Sequence, residues 1–295
     1  MNEYKNKEWL EYNLKKYATL KDVASEANCS QDTIRYWANK YGIPYIPGTV
    51  RRHNIDENFF EKIDSEEKAY WLGFIMADGC ITTSSKTSPY TRLCIVLKKD
   101  DISHLEKFKA AIKYTGPIKE KTVYDKRGFS TTSCTLRVSS KKLCADLQSH
   151  GVAPRKTGHE IIPVIKSEYI RHFARGFFDG DGSAVVSQNK KFCRFKICSS
   201  SLKIIKQLQA FFEREDISIQ YYQDNSYHVP FYVIESNKES TCNNIYKLLY
   251  NQSSIHLDRK YELVKKYCPP IQECMENKTE NCWKESQQPA AELAA

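Results

Sequence analysis

Two nine-residue segments of this chain repeat one pattern. Trp71-Leu72-Gly73-Phe74-Ile75-Met76-Ala77-Asp78-Gly79 and Ala174-Arg175-Gly176-Phe177-Phe178-Asp179-Gly180-Asp181-Gly182 both run apolar residues into an Asp-Gly end. Each places a small residue four positions after a Gly: Ala77 after Gly73, Gly180 after Gly176. On a helix, positions four apart share a face, and small residues there let a second backbone approach closely. Two such helices packed through Gly73, Ala77, Gly176 and Gly180 would end with Asp78 beside Asp181. Neighbouring carboxylates repel unless a cation lies between them.

The Asp is also misplaced on stability grounds. A helix C-terminus carries partial negative charge, so a carboxylate there is unfavourable, whereas the following Gly is an ordinary helix stop. An unfavourable residue in the same place twice points to a role other than folding.

On these residues the chain resembles the LAGLIDADG homing endonucleases, in their single-chain form with two motifs. Met76 departs from the acidic sixth letter that Asp179 keeps. The likeness runs from about Asp56 to about Tyr267 and implies an α+β fold. Two pseudo-symmetric αββαββα repeats would form saddle-like antiparallel sheets on DNA. It implies a double-stranded DNA endonuclease, intron-encoded or free-standing, with Mg2+ between Asp78 and Asp181. Carbonyls at Ala77 and Gly180 would be further oxygen ligands. A basic residue near the scissile phosphate is also implied, and Lys141 and Lys238, which follow the last strand of each repeat, are the matched pair. Lys156 in Pro154-Arg155-Lys156 and Lys260 in Asp258-Arg259-Lys260 are lesser candidates. The expected state is a monomer with a pseudo-two-fold axis.

Charge agrees with an anionic partner. The chain carries a formal net charge of +9. Residues 269–295 hold two Lys and five Glu, or −3, so the remainder carries +12. A basic body suits nucleic acid. No run is long and apolar enough to span a bilayer, so no membrane role is expected. Eleven Cys at irregular spacing, behind a charged start without a signal peptide, read as reduced thiols of a cytoplasmic protein. It would be nucleoid-associated in a bacterium or phage, with an organelle left open. Cys268, Cys274 and Cys282 fit no usual zinc spacing. The Met1 start and Ala295 end suggest a free-standing protein without splicing-domain ends.

Residues 1–45 read as a separate helical unit. Trp9, Leu10, Leu14 and Tyr17 share one helical face. A helix capped by Thr19, a turn at Asn28-Cys29-Ser30 and a helix from Gln31 to Lys40 follow, stopped near Gly42 and Pro44. This resembles a helix-turn-helix DNA-binding unit, which would offer Gln31, Asp32, Thr33, Arg35 and Tyr36 to a major groove while Ile34 and Trp37 pack inward. Residues 46–63 read as a linker in which Arg51 and Arg52 could track phosphates. Residues 64–160 and 161–268 are the two repeats, and 269–295 read as a poorly ordered tail.

In repeat 1, Asp64 and Glu67 form a capping box for the motif helix. Strands are expected near 80–84, 90–97, 118–124 and 131–139, with helices capped by Asp100 or Asp101 and from Lys141 to His150. Repeat 2 gives strands near 183–187, 192–198, 218–223 and 228–235, and helices over 201–213, 239–250 and 256–267. Alternation assigns faces. Leu93, Ile95, Leu97, Cys134, Leu136, Val138, Cys193, Phe195 and Ile197 go inward. Arg92, Lys98, Thr135, Arg137, Arg194 and Lys196 go outward, where Arg and Lys reach guanine edges.

The reading this supports is a site-specific DNA endonuclease acting on a long asymmetric target, since unequal repeats need no palindrome. The alternatives are an RNA maturase assisting intron splicing and a DNA-binding regulator without nuclease activity.

Overall fold

The computed structural model describes residues 3–17, 20–45, 53–83, 91–189, 191–226 and 230–268. Arg51, Arg52, Thr19 and the tail 269–295 lie outside the described residues. The chain divides into a unit of Met1–Ile55 with Lys113–Gly116 and a unit of Asp56–Ile112 with Pro117–Ala295.

The first unit holds three helices, α1 (Lys7–Lys16), α2 (Leu20–Glu26) and α3 (Gln31–Tyr41). Asn6 caps α1 through Trp9 N at 3.0 Å, and Ser30 caps α3 through Thr33 N at 3.1 Å. Gly42, at φ 65°, supplies the left-handed stop of α3. Leu10, Leu20, Val23, Ala24, Ile34, Ala38 and Ile43 form its core. Trp37 packs against this core half-buried, less deeply than Ile34. Gln31, Arg35 and Tyr36 are exposed along α3, and Thr33 is half-buried. Arg35 pairs with Asp32 one turn earlier.

The second unit repeats one order of elements twice. The first pass is α4 (Glu66–Asp78), β1 (Gly79–Thr83), β2 (Thr91–Lys98), α5 (Ile102–Ala111), β3 (Ile118–Tyr124), β4 (Ser130–Ser139) and α6 (Lys141–Ser149). The second is α7 (Ser167–Asp181), β5 (Gly182–Val186), β6 (Cys193–Ser199), α8 (Leu202–Arg214), β7 (Tyr221–Asp224), β8 (Phe231–Ser236) and α9 (Glu239–Tyr250). A last helix, α10 (Asp258–Tyr267), follows. The two antiparallel sheets have the same strand order, β1-β2-β4-β3 and β5-β6-β8-β7. This is the expected α+β architecture with αββαββα repeats.

The helices cover one face of each sheet. Leu93, Ile95, Leu136 and Val138 are buried in the first sheet, and Cys193, Phe195 and Ile197 in the second. Leu97, near the end of β2, is half-buried. Thr135 faces outward by register but is buried, because its strand is central and Val96 and Lys119 flank it.

Local corrections have local causes. Asp64 and Glu67 form no capping box. Ser65 caps α4, accepting from Lys68 N at 3.3 Å, while Asp64 pairs with Lys68 Nζ at 2.8 Å. Asp101 stands at the start of α5 without capping it, because Arg259 Nε holds its carboxylate at 2.9 and 3.0 Å. The last helix begins at Asp258 rather than His256, since Leu257 N donates to Asp179 at 2.8 Å and holds the preceding backbone in a loop. Residues 218–220 are not strand, because Gln209 Nε2 holds the Ile219 carbonyl at 3.1 Å. The second half of the expected linker is not a tether: Phe59 and Phe60 are buried in the second unit. A pair of apolar residues is too short to show a period, so this segment reads as loop in the sequence.

Candidate active site at the motif helix ends

Helix α4 is buried on nearly every side from Ala69 to Met76. Such a helix belongs in a protein centre rather than at a surface. Its partner is α7, and the contact depends on missing side chains. A Cβ on Gly73 would run into the Phe173 carbonyl, and one on Gly176 into the Tyr70 carbonyl. A Cβ on Gly180 would meet the Ala77 methyl. The four small positions therefore all lie in this interface.

The crossing brings the acids together. Asp78 is the last residue of α4 and Asp181 the last of α7. A Cβ on Gly180 would come within 3.4 Å of Asp78 Oδ2, so the Asp78 carboxylate lies against the end of α7. Both side chains keep accessible surface, yet protein crowds them from other directions, as in a recess. This loss of water raises both pKa values. Asp181 is pushed up to about 7, by desolvation first and by the charge of Asp78 second. Burial also raises Asp78, opposed by Lys260, Lys156 and Arg259.

Two lysines stand at the helix ends. Lys156 Nζ donates to the Ala77 carbonyl at 2.7 Å. Lys260 Nζ donates to the carbonyls of Phe178 (2.7 Å), Asp179 (2.8 Å) and Gly182 (2.5 Å). Each ammonium meets the negative end of a motif helix, where a cation is favoured. Lys260 is buried, and desolvation lowers its pKa to about 8 against the pull of Asp179. The pair Arg155-Lys156 and Arg259-Lys260 is a second duplicated signal. The Ala77 carbonyl thus already has a protein partner.

Lys141 and Lys238 are exposed at the starts of α6 and α9. The cations acting most strongly on Asp78 are Lys260, Lys156 and Arg259, and neither Lys141 nor Lys238 is among them. Arg92, Lys98 and Arg137 occupy outward register positions of the first sheet, and Arg194 and Lys196 those of the second. Arg92 is half-buried; Lys98, Arg137 and Arg194 are exposed.

Two supports of the site were not visible in the residue pattern. Asp179 is 1% exposed and accepts from Tyr70 Oη (2.7 Å), Tyr250 Oη (2.5 Å) and Leu257 N. It ties α4, α9 and the segment before α10 to α7. Arg175, also 1% exposed, donates to Glu66 (2.7 Å) and to the carbonyls of Leu249 (2.8 Å) and Ile255 (2.9 Å). An Arg inside an otherwise apolar motif was the available clue to the second. The first needs three partners from distant segments.

Residues 168–255, spanning the second motif and most of its repeat, match the model of a LAGLIDADG-like domain. The same element order and the same small-residue contact recur in the first repeat. Residues 168–255 are thus a LAGLIDADG-like domain. Solved structures similar to this chain include mesophilic variants of the homing endonuclease I-DmoI, at 18% identity over 68% of this chain and 99% of that one, with a TM-score of 0.43. I-DmoI in complex with DNA and Ca is 16% identical over 72% and 99%, with a TM-score of 0.46. Meganuclease I-SmaMI bound to uncleavable DNA is 12% identical over 68% and 88%, also at 0.46. No curated protein matches the chain.

Proposed function

We propose that this protein is a site-specific endonuclease that hydrolyses both strands of a long asymmetric duplex DNA target, using Mg2+ held by Asp78 and Asp181. The observation that carries the reading is the pair of acids at the crossing of the motif helices, where the Asp78 carboxylate lies against the end of α7 that Asp181 closes. A divalent cation would relieve that repulsion and favour the carboxylate form of both groups.

The donor set fits Mg2+. Both acids supply hard oxygen ligands. Among the described residues no group of three or more His, Cys, Asp and Glu could hold a metal ion. An ion at Asp78 and Asp181 would therefore retain much of its water, as Mg2+ does. When bound, it would supply a polarised water and charge neutralisation at phosphorus.

The residues of the chain have the remaining roles. Asp78 and Asp181 come from pseudo-equivalent helix ends, one for each strand of a duplex on the pseudo-axis. Lys156 and Lys260 are close enough to stabilise the acids as anions and to attract a phosphate. Lys156 is the better candidate for phosphate, since three carbonyls already hold Lys260. One chain supplies both acids, so a monomer suffices. The outward sheet residues would follow a major groove, and α3 of the first unit would add a helix-turn-helix contact.

The test is Mg2+-dependent cleavage of a random duplex library, with Asp78→Asn and Asp181→Asn as controls. Double-strand cuts at one long asymmetric site, lost in both variants, are the expected result. Selective duplex binding by folded protein without cutting would favour the regulator. No selective duplex binding would favour the maturase.

A further inference from the structure

The two sheets are alike in strand order and unlike in charge. In β1, β2, β3 and β4 the residues sharing the outward face with Arg92 include Lys98, Lys119, Lys121 and Arg137, and no Asp or Glu. The outward face of β5, β6, β7 and β8 carries Arg194 and Lys196 but also Asp224 and Glu235. The charged residues of the first face are therefore all basic, and the second balances its two cations with two anions.

Pairing sharpens the difference. Lys196 lies directly opposite Glu235 in the ladder, with Nζ 3.8 Å from its carboxylate. The Tyr222 hydroxyl bonds the same carboxylate. Lys98, Lys119 and Lys121 are exposed and have no ion-pair partner among the described residues. Lys119 and Lys121 lie on β3, the edge strand. On phosphate, a cation contributes through the counterions it releases, and a neighbouring carboxylate cancels that gain.

We propose that the sheet of repeat 1 is the electrostatic anchor on duplex DNA, and that the sheet of repeat 2 adds little to salt-dependent affinity. This rests on the DNA-binding reading above. The half-site under repeat 1 is held first and more firmly, and the half-site under repeat 2 is the one that salt releases.

The experiment compares two matched double variants, Lys119→Gln with Lys121→Gln, and Arg194→Gln with Lys196→Gln. The probe is a duplex of mixed sequence, about three helical turns long at roughly 10 base pairs per turn. It is titrated at several salt concentrations without divalent metal. Removing Lys119 and Lys121 should lower the slope of log affinity against log salt by about two, since each neutralised phosphate adds roughly 0.9 to it. Removing Arg194 and Lys196 should lower it by less than about one. Glu235→Gln supplies the converse, because freeing Lys196 should strengthen binding and steepen the slope. Equal effects of the two doubles, or no gain from Glu235→Gln, overturn the proposal while leaving DNA binding intact. A wild-type protein that does not bind the duplex at all overturns both readings. Thermal melts of each variant separate weaker binding from unfolding.

Discussion

Gly73 and Gly176 are reciprocal neighbours: Gly73 faces the carbonyl of Phe173, three residues before Gly176, and Gly176 faces the carbonyl of Tyr70, three residues before Gly73. The relation is that of a local two-fold axis between α4 and α7. It fixes helix separation at backbone contact, and that separation places Asp78 near Asp181.

Gly73→Ala and Gly176→Ala should therefore be among the most damaging single-methyl additions in the chain. Neither Phe173 nor Tyr70 can retreat by a side-chain rotation, because the obstruction is backbone. A loss of at least about 1–3 kcal/mol is expected for each in denaturant titration, the range for overpacked cores. A loss under about 0.5 kcal/mol, as at an ordinary surface site, would contradict the packing.

Asp179→Asn should destabilise the fold more than it perturbs the chemistry directly. The amide cannot accept all three donors from Tyr70, Tyr250 and Leu257, and one buried donor is left without a partner. About 1–3 kcal/mol of unfolding free energy should be lost. Tyr250→Phe, which removes a single donor, should cost less in the same titration.

Lys156→Met should slow Mg2+-dependent cleavage by about 10- to 100-fold, one to two steps of about 1.36 kcal/mol in the barrier. Lys156→Arg should restore part of the rate, and Lys141→Ala should stay within a few-fold of wild type. Single-turnover kinetics on the selected target decide between the lysines. A large defect in Lys141→Ala with none in Lys156→Met would reverse the assignment.

Three histidines should make the fold acid-sensitive. Burial, then the charge of Lys107, lowers His104 to about 3. Burial, then Arg175, lowers His172 to about 4, and burial, then Lys107, lowers His256 to about 4. Each stays neutral when folded while the unfolded chain takes up a proton below about 6.5. Stability is thus full above that value and falls until the folded group titrates, near pH 4 for His172 and His256. The loss is at most about 1.4 kcal/mol per histidine per pH unit. Asp181 has the opposite sign, since its folded pKa of about 7 lies above its unfolded value of 3.8. It stabilises the fold as pH falls through 7, and one group does not offset three. Denaturant midpoints should drop between about pH 7 and about pH 4, and Asp181→Asn should steepen the drop.

Much of this arrangement was legible residue by residue. The alternation in Cys193-Arg194-Phe195-Lys196-Ile197 assigned every face of β6, because strand geometry allows only two directions. Helix and strand order in both repeats followed from period and turn chemistry, with boundaries displaced mostly by one or two residues. The cap of α4 was read as Asp64 with Glu67 and is Ser65, because the backbone path decides which neighbouring side chain reaches the first turn.

The doubled motif, with its small residues and its acid at a helix end, was enough to establish that two helices pack closely and present two carboxylates. Periodicity is a local property and gave the order of helices and strands, while the fold class followed from the resemblance that the doubled motif carries. The remaining assignments came from the folded chain. Which lysine stands at each helix end depends on Lys156 reaching Ala77 and on Lys260 reaching Phe178, across 79 and 82 residues. Asp179 is a tie between helices through donors 109, 71 and 78 residues away. Burial and pairing at such separations are set by the packing of the whole chain, and that packing changes the charge preferred by a carboxylate or an ammonium without changing its place in the sequence.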